Sequence, residues 1–133
     1  MSEPSFGERS RHALSTCDPI LIKLAQEAIE VGMDFAVLEG QRGQTRQEEM
    51  FHRGLSKVRW PLSRHNREPS EAFDIAPWPI DWKDTQRFYH LAGIVRAVAH
   101  EHGVEVRWGG DWDCDFDLRD QSFMDLAHFE LVV

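Results

Sequence analysis

Apolar residues recur with helical spacing in two stretches of the chain. The first starts at Asp18 and Pro19 and places apolar side chains at positions 20, 21, 24, 25, 28, 29 and 31. Aspartate followed by proline is a typical helix start, because the carboxylate caps backbone N–H groups and proline lacks the N–H that would stay unsatisfied there. The second follows Asp84, with apolar side chains at positions 88, 91, 92, 95, 98 and 99. We therefore predict two amphipathic helices, the first ending near Gly32 and the second at Gly103.

Four shorter segments have the composition or the alternation of β-strands. They cover about 34–39, 72–76, 104–108 and 127–132. A weaker helical pattern spans roughly 44–54, where we expect Met50 and Phe51 to be buried, and residues 55–71 have the composition of a loop. Helices and strands alternate without a regular β-α-β rhythm, so the expected fold class is α+β. We predict one domain, residues 1–133, with a mostly antiparallel sheet flanked by helices.

Charge and composition exclude several classes of partner. The 133 residues include 23 acidic and 15 basic side chains, a formal net charge of -8, which disfavours nucleic acid and anionic membranes as general partners. The chain has no apolar run of about 18 residues and its start lacks the pattern of a signal peptide. We expect a monomer made in the cytoplasm without membrane insertion. Cys17 and Cys114 are expected to stay reduced, and two cysteines are too few for a Cys-based zinc site.

A histidine and an aspartate frame the segment "SRHNREPSEAFDIAP", residues 63–77. His65 and Asp74 fit a polar turn that enters a strand, or two ligands of a metal ion. His128 lies on an apolar strand, where an imidazole needs a polar partner; it could be a hydrogen-bonded core residue or a third ligand. Two histidines and one carboxylate suffice for catalytic zinc, because the fourth position stays open for water. The other histidines are expected on the solvated surface: His12 in a frayed terminus, His52, His90, His100 and His102.

Three blocks of sequence, "SRHNREPSEAFDIAP", "RWGGDW" and "DLAHFEL", resemble the zinc D-Ala-D-Ala carboxypeptidase and L-alanyl-D-glutamate endopeptidase family. The likeness is strongest to its small phage members, which cut the peptide stems of peptidoglycan. The family pattern is Ser-x-His, then Ala-x-Asp, then an acidic residue three before a histidine, and it matches Ser63, His65, Ala72, Asp74, Asp125 and His128. Upstream, Arg42 and Gln47 fall where the family has an arginine and a glutamine. The resemblance covers roughly residues 38–131 and implies the D-Ala-D-Ala peptidase or hedgehog-like fold.

The resemblance implies a role for each matched residue. Zinc would be held by His65, Asp74 and His128, Asp125 would act as general base and acid, and Arg42 would steady the scissile carbonyl oxygen. Gln47 and Ser63 would support the site or contact substrate. Glu130 is the competing base; on a regular strand it shares a face with His128, so it could instead orient that ligand.

The substrate implied by the resemblance is a peptidoglycan stem peptide. The expected protein is a phage endolysin-type L-alanyl-D-glutamate endopeptidase, which reaches the cell wall after a partner permeabilises the membrane. Two alternatives stay open: a D-alanyl carboxypeptidase that acts in the cytoplasm, and a zinc-containing binding domain without hydrolysis. Asp125 and Arg42 favour an enzyme, because a binding module needs neither.

Three further features need a structural answer. The separation of nine residues between His65 and Asp74 is longer than the family's usual spacing, so the loop with Pro69 and Ser70 is expected to bulge and to alter the cleft rim. Four aspartates alternate like EF-hand ligands, and they indicate either a calcium site or a solvated acidic loop: Asp111, Asp113, Asp115 and Asp117. Four tryptophans could pack in the core or line a cleft: Trp78, Trp82, Trp108 and Trp112.

Overall fold

A computed structural model describes residues 4–116 and 125–132. Within them the chain forms helices α1, Glu8–Ser15; α2, Pro19–Glu30; α3, Gln44–His52; and α4, Thr85–Glu101. The strands are β1, Phe35–Glu39; β2, Ala72–Pro77; β3, Val106–Gly109; and β4, Asp125–Leu131. A short 3-10 helix covers Arg64–Asn66. These elements make one small α+β domain, so the predicted fold class is confirmed.

The sheet has the order β1-β2-β4-β3, and each neighbouring pair is antiparallel. Alternate residues of each strand enter the core shared with α1, α2 and α4, among them Val37, Ile75, Phe129 and Leu131. Burying each such side chain contributes about 1.5–3 kcal/mol. Since side chains alternate along a strand, Asp74, His128 and Glu130 project from the opposite face. The pleat therefore separates the core from the polar groups.

Two helical regions differ from the sequence prediction. The N-terminal segment expected to fray forms α1, which buries Leu14 and Ser10; the Ser10 hydroxyl accepts a hydrogen bond from the backbone N–H of Val37 at 3.0 Å. In α3, Met50 and Phe51 are only half-buried, and the buried residue is Gln47. The prediction for α3 was wrong because the helix turns a hydrogen-bonding amide, rather than an apolar stripe, toward the protein interior.

The loop before β2 packs away from the cleft. Ser70 is fully buried, its N–H donates to the Thr16 carbonyl at 2.9 Å, and its carbonyl accepts from the Asp18 N–H at 2.8 Å. Pro69 and Ser70 do not line the described cleft. The expectation that they alter its rim was wrong, because Ser70 is fixed against the junction of α1 and α2 and Pro69 is exposed outside the cleft lining.

Both cysteines are free thiols. Burial raises the pKa of Cys17 to about 11, so this thiol stays protonated and unreactive at neutral pH. Among the described helices, none is both long and apolar enough to cross a lipid bilayer.

Candidate metal centre

Three side chains from separate elements converge on the polar face of the sheet. Asp74 in β2 lies directly opposite His128 in β4, and the 3-10 helix brings His65 to the same point. The Asp74 Oδ1 atom is 3.3 Å from His65 Nε2 and 3.3 Å from His128 Nδ1. The two imidazole nitrogens are 3.2 Å apart. The three donor atoms thus form a nearly equilateral triangle.

This triangle fits a bound metal ion. Ligands held at about 2.0–2.2 Å around a tetrahedral ion are separated by roughly 3.3–3.6 Å. Asp74 Oδ1 is also buried and has no hydrogen-bond partner in the described part of the chain. Such an orphaned buried oxygen is costly unless another group satisfies it, and a cation would do so.

Each of the three side chains is fixed by a contact on the side away from the triangle. His65 Nδ1 lies 2.7 Å from the Gly40 carbonyl, which can only accept, so this nitrogen carries the proton and leaves Nε2 as a donor to metal. His128 Nε2 donates to Glu130 Oε1 at 2.8 Å, which leaves Nδ1 as the donor to metal. Asp74 Oδ2 lies 3.5 Å from Arg42 Nη2. Partners of this kind orient metal ligands in proteins.

Arg42 and Gln47 form a buried hydrogen-bonded brace behind the site. Arg42 is only 4% exposed and forms an ion pair with Glu39, while its Nη1 donates to Gln47 Oε1 at 3.0 Å. The Gln47 amide nitrogen donates to the Val58 carbonyl at 2.7 Å and so joins α3 to the following loop. Asn66 completes the brace by donating to the Arg42 carbonyl at 3.1 Å. The structure therefore brings both predicted residues next to the triangle, with Gln47 acting through Arg42.

The local structure around Ser63 holds His65 in place. The Ser63 hydroxyl accepts from the His65 N–H at 3.2 Å, and the Asn66 side chain accepts from the Ser63 N–H at 3.0 Å. This reciprocal cap fixes the 3-10 helix. The sequence prediction did not include Asn66, Glu39 or Gly40. The spacing Ser-x-x-Asn was a usable signal for Asn66, whereas the Gly40 carbonyl offers no side-chain signal.

Asp125 reaches the cleft because the pairing of β3 with β4 is irregular. Residues three apart on a regular strand point to opposite faces, yet Asp125 and His128 line the same cleft. The register shifts between Trp108 and Gly109, which pairs with Asp125. A Cβ atom on Gly109 would lie 1.9 Å from the Asp125 carbonyl oxygen, so glycine allows this close approach.

The charges of the site are mutually dependent. Burial raises the pKa of the Asp74 carboxyl, but His65 and His128 outweigh it and hold that pKa well below its usual value. Burial lowers the pKa of His128, but its contacts with the Asp74 and Glu130 carboxylates outweigh this effect and raise that pKa to about 9. Burial and the negative charge of Asp74 raise the pKa of Asp125. A metal ion at the triangle would have to displace a proton from His128.

Two arms of a cleft meet at Asp125. The cationic arm, a cavity of about 500 Å³, runs past His128 and Trp112 and is lined by four basic side chains, Arg42, Lys57, Arg64 and Arg107, against three acidic ones, Asp113, Asp125 and Glu130. The apolar arm, about 440 Å³, runs past Asp74 and is lined by Leu38, Met50, Leu55 and Trp82. Of the four tryptophans, Trp82 and Trp112 line the cleft, whereas Trp108 is 2% exposed and belongs to the core.

The other histidines and the acidic loop are not part of the donor triangle. The histidines expected at the surface are exposed: His12, His52, His90, His100 and His102. Asp111, Asp113 and Asp115 each place a carboxylate oxygen within 4.8 Å of the others, and Asp117 lies outside the described residues. Asp111 is buried and accepts from Arg96 at 3.0 Å. A calcium site in this loop stays a prediction.

Comparison with known proteins agrees with the geometry. Residues 3–132 match the family model of the phage L-alanyl-D-glutamate peptidases. The chain belongs to this family. Within it, the L-alanyl-D-glutamate peptidase of Escherichia phage T5 is 31% identical over 134 aligned positions, which cover 96% of this chain and 97% of the relative. The crystal structure of the Serratia marcescens L-Ala D-Glu endopeptidase ChiX superposes with a TM-score of 0.77 at 30% identity, covering 98% of this chain and 92% of that one.

Proposed function

We propose that this chain is a zinc-dependent endopeptidase of the phage endolysin type. It hydrolyses the bond between L-alanine and D-glutamate in peptidoglycan stem peptides. The observation that carries the proposal is the triangle of donor atoms from His65, Asp74 and His128, with edges of 3.2–3.3 Å. Membership in the phage L-alanyl-D-glutamate peptidase family supports the substrate and the scissile bond.

The donor set favours zinc over other divalent ions. Two imidazoles and one carboxylate are a common catalytic zinc set, and three protein ligands leave one position for a water or substrate oxygen. Zinc, when bound, supplies a Lewis acid that polarises the scissile carbonyl and lowers the pKa of water to about 7. His65, Asp74 and His128 hold it, and Gly40, Arg42 and Glu130 fix their orientation.

Asp125 takes the proton of the attacking water and delivers it to the leaving amine. Its position where the two arms meet places it beside the triangle. Within residues 4–116 and 125–132 it has no ion pair with lysine or arginine, so its carboxylate can gain and lose a proton. Glu130 is bonded to His128 and Arg107, and these contacts lower its pKa despite burial. Glu130 therefore orients His128.

Arg42 stabilises negative charge at the reacting centre. Arg42 is part of the cleft lining although it is only 4% exposed, its Nη2 lies 3.5 Å from Asp74 Oδ2, and a guanidinium is a permanent cation. We assign it to the scissile carbonyl oxygen as this becomes an oxyanion. Gln47 and Ser63 are positioning residues that hold Arg42 and His65, respectively.

Digestion of purified peptidoglycan tests the proposal. Zinc-loaded protein should create new amino termini on D-glutamate and new carboxyl termini on L-alanine, identified by mass spectrometry. The Asp125→Asn variant and chelator-treated protein serve as controls that should create few or none. Release of D-alanine would instead identify a carboxypeptidase, and no new termini from zinc-replete protein would identify a binding domain. In either case the proposal fails.

The peptidase acts on the wall after a membrane-permeabilising partner releases it.

A further inference from the structure

We propose that Arg107 binds a free carboxylate of the D-glutamyl residue and thereby determines which stem peptides are cut. This inference rests on the proposed function and names a specificity determinant within the same site. Arg107 lies in β3 opposite Glu130 and lines the cationic arm. Glu130 also holds His128, so a single carboxylate separates the Arg107 guanidinium from the donor triangle.

The two sides of the scissile bond differ in charge. A D-glutamyl residue that is linked through its amine keeps two carboxyl groups, and at most one of them continues a linear peptide. The other remains an anion unless it is amidated. The alanyl residue presents only a methyl group. The cationic arm is thus suited to the glutamyl side, and the apolar arm, with Leu38, Met50 and Trp82, to the alanyl side.

Among the described arginines of the cationic arm, Arg107 has the most exposed side chain, at 35% against 24% for Arg64 and 4% for Arg42. Its Nη1 makes a single hydrogen bond to Glu130, at 3.3 Å; its Nε is buried without a partner in the described ranges, so the exposed part of the guanidinium is its Nη end. A guanidinium has five N–H donors in a plane, which suits a second carboxylate. Arg64 makes a shorter hydrogen bond, to Glu71 at 2.9 Å, and its Nε lies 3.8 Å from Glu130 Oε2.

Two synthetic peptides test the inference: N-acetyl-L-alanyl-γ-D-glutamyl-L-lysine and the same peptide with the free α-carboxyl of glutamate amidated. We expect wild-type protein to cut the carboxylate peptide with a kcat/KM roughly 10- to 100-fold higher, the range expected for a charge-assisted hydrogen bond. Arg107→Met keeps the aliphatic stem and should bring this ratio close to one, mainly by slowing the carboxylate peptide. Arg107→Lys should retain part of the preference.

Arg59→Met is the matched control, because Arg59 is an exposed, glutamate-paired arginine that lines neither arm. It should leave the ratio unchanged. Zinc content and melting temperature confirm that each variant is intact. This inference alone would be overturned if wild-type protein cut the carboxylate and amidated peptides with nearly equal kcat/KM. It would also be overturned if Arg107→Met and Arg107→Lys kept the wild-type ratio of the two kcat/KM values. Failure of wild-type protein to cut either peptide at the alanyl–glutamyl bond would overturn the proposed function and this inference with it.

Discussion

Two clusters of possible metal ligands lie in the described part of the chain, and they are built differently. In each, three side chains place a ligand atom within 4.8 Å of the others. The donor triangle draws on the 3-10 helix, β2 and β4, and sheet register sets Asp74 against His128. The acidic cluster, Asp111, Asp113 and Asp115, comes from alternate positions of one loop and contains no imidazole.

The clusters also differ in what surrounds them. In the triangle, each side chain has a partner on its far side, and the near atoms face one another. In the acidic cluster, the buried Asp111 Oδ2 accepts from Arg96 at 3.0 Å and from the Phe116 N–H at 2.9 Å, while Oδ1 is buried without a partner in the described residues. Side chains that are held by hydrogen bonds on one side and present an unbonded donor atom on the other favour a reactive metal. The donors themselves also differ: two imidazoles and one carboxylate favour zinc, whereas three carboxylates of one loop do not.

Loss of a triangle ligand should have the largest effect. We expect His65→Ala, Asp74→Ala and His128→Ala each to lose most of the bound zinc and nearly all hydrolysis, because two protein ligands seldom hold zinc tightly. Metal analysis by mass spectrometry, with His90→Ala as an exposed histidine control, checks this. A variant that keeps a full equivalent of zinc would remove its residue from the centre.

Replacing the two carboxylates near His128 should separate their roles. Asp125→Asn cannot accept the proton and should lose on the order of 100-fold or more in turnover while keeping zinc and fold. Glu130→Gln still accepts a hydrogen bond from His128 and should act modestly. Turnover on peptidoglycan is measured with zinc content and melting temperature alongside. The roles swap if Glu130→Gln is the inactive, folded, zinc-replete variant and Asp125→Asn stays active.

Replacing Arg42 should slow the reaction without removing metal. Arg42→Lys keeps the charge but loses the planar fork that contacts Glu39, Asp74 and Gln47. A fall of roughly 10- to 1000-fold in kcat is expected from the loss of oxyanion stabilisation. Arg46→Lys, an exposed arginine that also pairs with Glu39, is the control. Unchanged kinetics in Arg42→Lys would exclude Arg42 from catalysis.

A change in the acidic cluster should affect stability more than chemistry. Asp111→Asn removes the charge that pairs with Arg96 and should lower the free energy of unfolding by about 1–3 kcal/mol. Zinc content and turnover should stay near wild-type values. Urea titration measures the effect, with the exposed Glu49→Gln as control. Loss of zinc from folded Asp111→Asn would contradict the assignment of zinc to the triangle rather than to the acidic cluster.

The sequence predicts those parts of the fold that follow from local pattern. The α2 start was correct, since Asp18 accepts from the Ile20 N–H at 2.8 Å behind Pro19. Helix α1 was missed because its Gly7 cap makes no side-chain hydrogen bond and few of its residues are buried. Gln47 was missed as the buried residue of α3 because its burial depends on hydrogen bonds to Arg42 and the loop, which no apolar pattern reveals.

The site was predictable only in part for a similar reason. Family resemblance indicated His65, Asp74 and His128, but spacing alone could not show that β2 and β4 pair with Asp74 opposite His128. Asp125 faces the cleft because of a register shift at Gly109, and such a shift depends on three-dimensional pairing. The Gly40 carbonyl that fixes His65 is a backbone group, so no residue type signals it.

The most direct test is anomalous diffraction at the zinc absorption edge from crystals of the active protein. The account predicts one strong peak within about 2.0–2.2 Å of His65 Nε2, Asp74 Oδ1 and His128 Nδ1. It also predicts no zinc peak at the acidic cluster. A strong peak between Asp111, Asp113 and Asp115, with none at the triangle of a fully active protein, would contradict it.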